Sequence, residues 1–111
     1  MKKILPSLRE RKRYMVFEII GRKRIEPEAA MKEIYGCIVS FIGELELSKA
    51  ALWMLRDKWA GNKGVIRLNR QSVAKVKAAL CLVDKIGKAN VMIRTLGVSG
   101  MLNRAERKYM V

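Results

Sequence analysis

Near the start of the chain, a mostly apolar run is rich in aromatic and β-branched side chains. This run is Tyr14, Met15, Val16, Phe17, Glu18, Ile19 and Ile20. Successive side chains of a strand point to opposite faces, and residues of this kind favour strands. The pattern therefore predicts a strand in which Met15, Phe17 and Ile19 face the core.

Two later stretches carry apolar residues at helical spacing. The first begins at Pro27, which suits the first position of a helix, and continues to about residue 43. The second runs from Gln71 to Ile86 and is followed by Gly87, a residue typical of helix ends. Its predicted buried residues are Val73, Val76, Ala79, Leu80, Val83 and Ile86. We therefore predict two amphipathic helices.

The remaining apolar runs are shorter and are separated by turn residues. Residues 50–56, 65–68 and 90–96 are predicted strands, and residues 101–110 are a predicted final helix. Together with the first strand, this order predicts an α+β fold of the ferredoxin-like, split βαβ type. In that fold two helices cover one face of a four-stranded antiparallel sheet. Here a C-terminal helix is added, and its apolar stripe of Met101, Leu102, Ala105 and Tyr109 is suited to cover the open face. Residues 1–111 form one predicted domain with a basic N-terminal arm at about residues 1–13.

Charge is distributed unevenly along the chain, which has 24 Lys and Arg against 10 Asp and Glu and a net charge of +14. Residues 1–24 hold nine basic and two acidic side chains, and residues 49–111 hold fourteen and three. Between them, residues 25–48 hold one basic and five acidic side chains. An excess of this size favours a polyanionic partner such as nucleic acid, because phosphate contacts release counterions. The acidic middle favours a second, protein-facing surface.

The inventory of reactive side chains disfavours an enzyme that acts alone. The chain contains no His, and we assign no catalytic residue and no metal ligand. The two cysteines, Cys37 and Cys81, lack metal-ligand spacing, and we expect reduced thiols in a cytoplasmic protein. No apolar run reaches the length of a membrane span, so we expect no membrane partner. We expect this chain to bind no cofactor.

Three runs resemble one family of RNA-associated proteins. They are RYMVFEII at residues 13–20, GNKGVIRLNR at residues 61–70 and IRTLGVSGMLNRA at residues 93–105. In this order and spacing they resemble the archaeal ribonuclease P protein component 2 family, whose eukaryotic relatives also serve ribonuclease MRP. The resemblance covers nearly the whole chain, and its last run is the most specific.

The resemblance implies a non-catalytic protein subunit of the ribonucleoprotein that removes the 5′ leader of precursor tRNA. It implies that the RNA subunit holds magnesium and performs the hydrolysis. Ribonuclease P RNA, precursor tRNA, ribonuclease P protein component 3 and other protein subunits are the implied partners. The resemblance also implies a two-plus-two assembly with component 3. Whether this chain forms a homodimer within that assembly stays open.

We select candidate RNA-binding residues from the basic arm, the basic turn after the first strand, and the strands and helix of the matching runs. They are Arg9, Arg11, Lys12, Arg13, Arg22, Lys23, Arg24, Arg67, Arg70, Arg94, Arg104, Arg107 and Lys108. The third predicted strand has no aromatic residue on which a base could stack, so contacts to the RNA backbone are expected.

Glu28, Glu33 and Trp53 are the candidates for contact with a protein partner, because phosphate would be repelled from the acidic stretch. An ordinary solvated helix is an equally good interpretation of that stretch. Two other functions remain open. A ribosomal or ribosome-associated structural protein has the same composition, and a self-sufficient nuclease is disfavoured by the reactive side chains alone.

Overall fold

A computed structural model describes residues 12–110. Its eight helices and strands, in chain order, are β1 (Lys12–Gly21), α1 (Pro27–Ala50), β2 (Trp53–Met54), β3 (Lys63–Asn69), α2 (Val73–Leu80), β4 (Lys85–Ile86), β5 (Ala89–Ser99) and α3 (Leu102–Tyr109). Short 3-10 turns follow β2 and β3. The strands form one antiparallel sheet in the order β2-β3-β1-β5-β4. The predicted α+β class is confirmed.

The predicted count of four strands is wrong, because the sheet has a fifth, two-residue strand. The cause lies in the stretch predicted as the second helix, which ends at Leu80 rather than Ile86. Val83 and Ile86 are buried, as the helical pattern requires, but the chain reaches the core through a turn and β4. Gly87 has a φ of +63° and forms the turn between β4 and β5 instead of ending a helix.

The first helix is longer than predicted and contains a break. Gly43, with φ +82° and ψ 162°, interrupts α1, after which helical structure resumes and continues to Ala50. Residues 44–49 include Glu, Leu and Lys, which are good helix formers, so the strand predicted from residue 50 shortens to Trp53–Met54. Ala51 adopts a left-handed conformation, with φ +48°, where the helix ends.

The alternating pattern of β1 is confirmed. Met15, Phe17 and Ile19 are buried on the sheet face that α1 and α2 cover, which we call the helix face. There they pack with residues of both helices, among them Ile34, Ile38, Val76, Ala79 and Leu80. The aromatic rings of Phe17 and Trp59 meet edge to face with centroids 5.9 Å apart. This face contains the main core.

The opposite side of the sheet, which we call the α3 face, has a smaller core. Val16, Val65 and Ala105 are its buried residues, and Leu102 and Tyr109 pack against them. The prediction that the last helix covers the open face is thus confirmed for one part of that face. The predicted stripe also included Met101, which is 56% exposed.

Strand β5 continues past the point where the sequence predicts a break. It contains Gly97 and ends at Ser99, and its pairing with β1 shifts by one residue so that Leu96 has no partner on β1. A Cβ on Gly97 would overlap the ring of Tyr109. The glycine therefore permits α3 to approach the sheet closely, rather than ending the strand.

Candidate nucleic-acid interface

The turn after β1 and the β4–β5 hairpin bring four cations to one end of the molecule. Gly21 pairs with Val91 and ends β1, and the exposed residues Arg22, Lys23 and Arg24 follow it. Ile25 is 6% exposed and anchors this turn in the core. Lys88 is exposed on the β4–β5 hairpin, which faces this turn across a cleft. We call these residues the turn group: Arg22, Lys23, Arg24 and Lys88.

The outer surface of α3 carries a second group of cations. Arg104, Arg107 and Lys108 are exposed, while Ala105 on the inner side is buried. Lys63 on β3 donates a hydrogen bond to the Tyr109 carbonyl (3.2 Å), and Lys58 pairs with Glu106 (3.3 Å). These contacts fix α3 while its outward cations remain in solvent.

A third group lies where β1 begins and β3 ends, and we call it the strand-end group: Lys12, Arg13, Arg67 and Arg70. Lys12 donates to the Asn69 Oδ1 (3.0 Å), and Arg13 donates to the Lys12 carbonyl (2.9 Å). The Nε of Arg67 is buried and has no hydrogen-bond partner among the described residues. A buried donor without a partner is unfavourable, which sets Arg67 apart from the exposed candidates.

Arg94 differs from the other candidates because its charge is partly neutralised. It pairs with Glu18, the residue directly opposite on β1, at 2.6 Å. Arg67 lies opposite Tyr14 on the other side of β1. The two arginines lie on opposite sides of β1 and are not neighbours on the sheet, so a phosphate contact that they shared would have to bridge a whole strand.

Two candidates from the basic arm, Arg9 and Arg11, lie outside the described residues. The other two, Lys12 and Arg13, begin β1 and are half-buried, so they are part of the sheet. The roles assigned to all these cations stay predictions. Lys88 was missed by sequence reasoning, because only the β4–β5 hairpin brings it opposite Arg22 and Arg24.

The acidic flank lies along α1 and adjoins the turn group, because Glu26 and Ala29 border both surfaces. A cleft lined by Glu28, Tyr35, Leu52, Trp53 and Arg56 runs between α1 and the chain that leads into β2. Glu28 pairs with Arg56 at 3.2 Å. Trp53 is 61% exposed, whereas Trp59 packs on Phe17, so the two tryptophans have different environments. Tyr35, 46% exposed, was not singled out from the sequence.

Glu33 belongs to a different side of α1 from Glu28. Its charge acts on Cys37, one turn further along the helix, whose Sγ lies 3.6 Å from the Ala79 carbonyl of α2. Burial raises the pKa of the Cys37 thiol, and the charges of Asp84 and Glu33 raise it further. The thiol is therefore protonated at neutral pH and is a poor nucleophile.

The described residues offer little for bond-breaking chemistry. Within residues 12–110, no three potential ligands are grouped to hold a metal ion. No helix in this part of the chain is long and apolar enough to cross a membrane. The described surface carries three cationic groups and one acidic flank.

Fold and surface thus define a small, strongly basic α+β domain with one acidic flank. The chain belongs to the Rpp14/Pop5 family, whose model matches residues 13–110. This confirms the resemblance found in the sequence.

Several archaeal proteins are similar over nearly their full length. The chain is 37% identical over 110 residues to ribonuclease P protein component 2 of Archaeoglobus fulgidus, covering 99% of this chain and 98% of that protein. It is 35% identical over 105 residues to the protein of the same name from Thermococcus gammatolerans, covering 95% and 88%. A chain in the cryo-EM structure of yeast ribonuclease MRP has a similar fold, with a TM-score of 0.65 at 13% identity, covering 91% of this chain and 79% of that one.

Proposed function

We propose that this protein is a subunit of ribonuclease P that binds and stabilises the catalytic RNA, which removes the 5′ leader of precursor tRNA. One observation carries the RNA-binding part of the proposal. Of the eleven candidate RNA-binding residues in the described part of the chain, ten form no ion pair with a carboxylate of residues 12–110, and Arg94 is the exception. Family membership supports the choice of ribonucleoprotein.

The division of labour follows from the side chains. The described residues contain no His and no grouped metal ligands, so the RNA would hold the magnesium ions and perform the hydrolysis. The protein's cations would neutralise phosphates where RNA segments crowd together, which lowers the magnesium needed to fold the catalytic RNA. The chain itself would contact no reacting atom.

Reconstituted cleavage of precursor tRNA at limiting magnesium tests this function. Adding the wild-type chain should restore cleavage that the RNA subunit alone loses. The triple variant Arg22→Ala, Lys23→Ala, Arg24→Ala should restore less, and its RNA affinity should depend less on salt. The slope of log affinity against log salt should fall by roughly 0.7–0.9 for each phosphate that the variant no longer neutralises.

A matched control removes three cations that already have carboxylate partners and make no contact with α3: Lys49→Ala, Arg56→Ala and Lys75→Ala. It lowers the net charge equally but should keep most of the stimulation. No stimulation by the wild-type chain at any magnesium level would contradict the proposal and favour a ribosomal role. Cleavage by the protein without an RNA subunit would instead indicate a nuclease.

We also assign the acidic flank to a protein partner, in line with the family's association with ribonuclease P protein component 3. The exposed Trp53 beside Glu28 and Tyr35 supports this assignment, because aromatic residues are enriched in protein interfaces. Glu28→Lys and Trp53→Ala should weaken assembly with component 3 and leave RNA affinity unchanged or higher. Glu33→Lys, on another side of α1, shows whether the interface extends towards α2. Normal assembly of all three variants would contradict the assignment.

A further inference from the structure

The turn group forms the rim of a cleft whose floor is apolar. We call it the turn–hairpin cleft, and it lies between the turn after β1 and the β4–β5 hairpin, with a volume of about 1040 Å³. Ile20, Ile25 and Ile86 are apolar residues of the lining, and Arg22, Arg24 and Lys88 are cations of the rim. A Cβ on Gly21 would lie 3.2 Å from the Asn90 carbonyl oxygen, so the two sides of the cleft meet closely at its base.

The rim of the cleft is cationic, and its charged groups are exposed and not neutralised by carboxylates of the described residues. The lining contains four basic side chains and one acidic one, Glu26. None of the four, Arg22, Lys23, Arg24 and Lys88, pairs with a carboxylate of the described chain. All four are exposed. The cleft therefore favours an anionic ligand at its mouth.

The apolar floor distinguishes between two kinds of anionic ligand, a bare phosphate and a nucleotide. Ile25 and Ile86 are 6% and 4% exposed and belong to the main core, so they form a fixed wall. Among the three isoleucines of the lining, Ile20, 38% exposed near the end of β1, supplies most of the accessible apolar surface. A bare phosphate would gain nothing from this apolar surface. A nucleotide fits both parts, because its base has flat apolar faces and its phosphates carry the charge.

The base that enters this cleft must also be unpaired. In a double-stranded RNA segment the bases are stacked and paired, and side chains cannot enter the deep major groove. The outward cations of α3 lie on a convex helix and can follow such a backbone, whereas the turn–hairpin cleft is concave. We infer that the turn–hairpin cleft holds an unpaired nucleotide of the bound RNA, with its base on the isoleucine floor and its phosphates on Arg22, Arg24 and Lys88.

This inference rests on the proposed function and is tested with two probes. One is a fluorescent single-stranded oligouridylate, and the other is the same strand with abasic riboses, which keeps every phosphate. The wild-type chain should bind the first at least about fivefold more tightly, the lower range of what base stacking supplies. Ile20→Ser should bring this ratio close to one while leaving the salt dependence unchanged.

The control is Met92→Ser, which removes an exposed apolar side chain directly opposite Ile20 on β5 but outside the cleft. It should keep the wild-type ratio. A wild-type ratio near one, or equal ratios for the two serine variants, would overturn the inference. If the chain still stimulates cleavage in that case, the proposed function stands and only the nucleotide site is wrong.

Discussion

The two faces of the sheet differ in how much of the core they carry. In the described part of the chain, sixteen buried residues form the cluster on the helix face, against three on the α3 face. The first cluster draws on α1, on α2 and on four strands, so its loss would unfold the domain. The second depends on α3 and the central strands. We conclude that one face supplies most of the stability and leaves the other free to present charge.

Simple geometry explains why the α3 face is only partly covered. An eight-residue helix is about 12 Å long, whereas an eleven-residue strand such as β5 extends over roughly 36 Å. α3 therefore reaches from the end of β5 to the region of Gly97 and Lys63 and no further. Beyond it Ile20, Met92 and the Glu18–Arg94 pair stay exposed.

The largest effect should come from removing a ring on the helix face. Phe17 is fully buried and contacts Trp59, so Phe17→Ala should lower the free energy of unfolding by about 3–5 kcal/mol. Urea denaturation measures this loss. Because the main core is shared by both helices, amide exchange should accelerate throughout the sheet. An effect confined to one edge would contradict the view that this face holds the domain together.

A smaller, local effect is expected on the α3 face. Gly97→Ala should clash with Tyr109 and cost about 1–3 kcal/mol, because the new Cβ would overlap the ring and α3 would have to shift away from the strand. Hydrogen exchange should become faster in residues 102–109 and remain slow in β1 and β3. If the whole sheet lost protection equally, α3 would be part of the main core after all.

The double variant Gly97→Ala, Tyr109→Ala provides the matched control. Removing the ring abolishes the clash, so the two single losses should not add, and the coupling energy measures their contact. Tyr109→Ala alone should loosen α3 without strain in β5. Additive losses would show that the alanine disturbs the strand itself.

The sequence predicts those parts of the fold in which local pattern and final environment agree. β1 alternates as expected because both of its faces meet neighbouring layers. The pattern at Val83 and Ile86 correctly predicts burial but not its geometry, since a turn and a short strand bury the same residues as a helix would. From the sequence alone, Gly97 suggests that the strand ends. The feature that requires a glycine there is the ring of Tyr109, which lies twelve residues further along the chain.

The candidate site shows the same limit. Charge runs such as Arg22-Lys23-Arg24 are visible locally, and the structure keeps them exposed. The opposition of Lys88 to that run, and the pairing of Arg94 with Glu18, depend on strand register that no local pattern reveals. Sequence therefore indicates which residues are basic but not which of them share a surface.

A moderate gain is expected on the outer side of α1, which belongs to neither core. A Cβ on Gly36 would meet no atom within 4 Å, so Gly36→Ala should raise the free energy of unfolding by roughly 0.5–1 kcal/mol through helix propensity. Gly43→Ala, at a φ of +82°, should instead destabilise. Thermal unfolding compares the two. A loss in Gly36→Ala would mean that α1 is packed more tightly on its outer side than the structure indicates.

The smallest effect concerns the ion pair that ties the end of α1 to α2. Lys75 donates to Glu46 Oε2 at 3.0 Å, and this hydrogen bond, with the charge of Lys75, lowers the pKa of Glu46. A carboxyl whose pKa is lower in the folded state stabilises the protein above its unfolded pKa, and the contribution disappears as the pH falls through the folded pKa.

Between neutral and acid pH, the free energy of unfolding should therefore fall slightly less in Lys75→Ala than in the wild type. Lys77→Ala, on the same helix, should keep the wild-type pH profile. Unfolding free energies measured from neutral to acid pH, with the Glu46 titration followed by NMR, provide the comparison. Coincident profiles for the wild type and Lys75→Ala would show that this exposed pair adds nothing to the helix face.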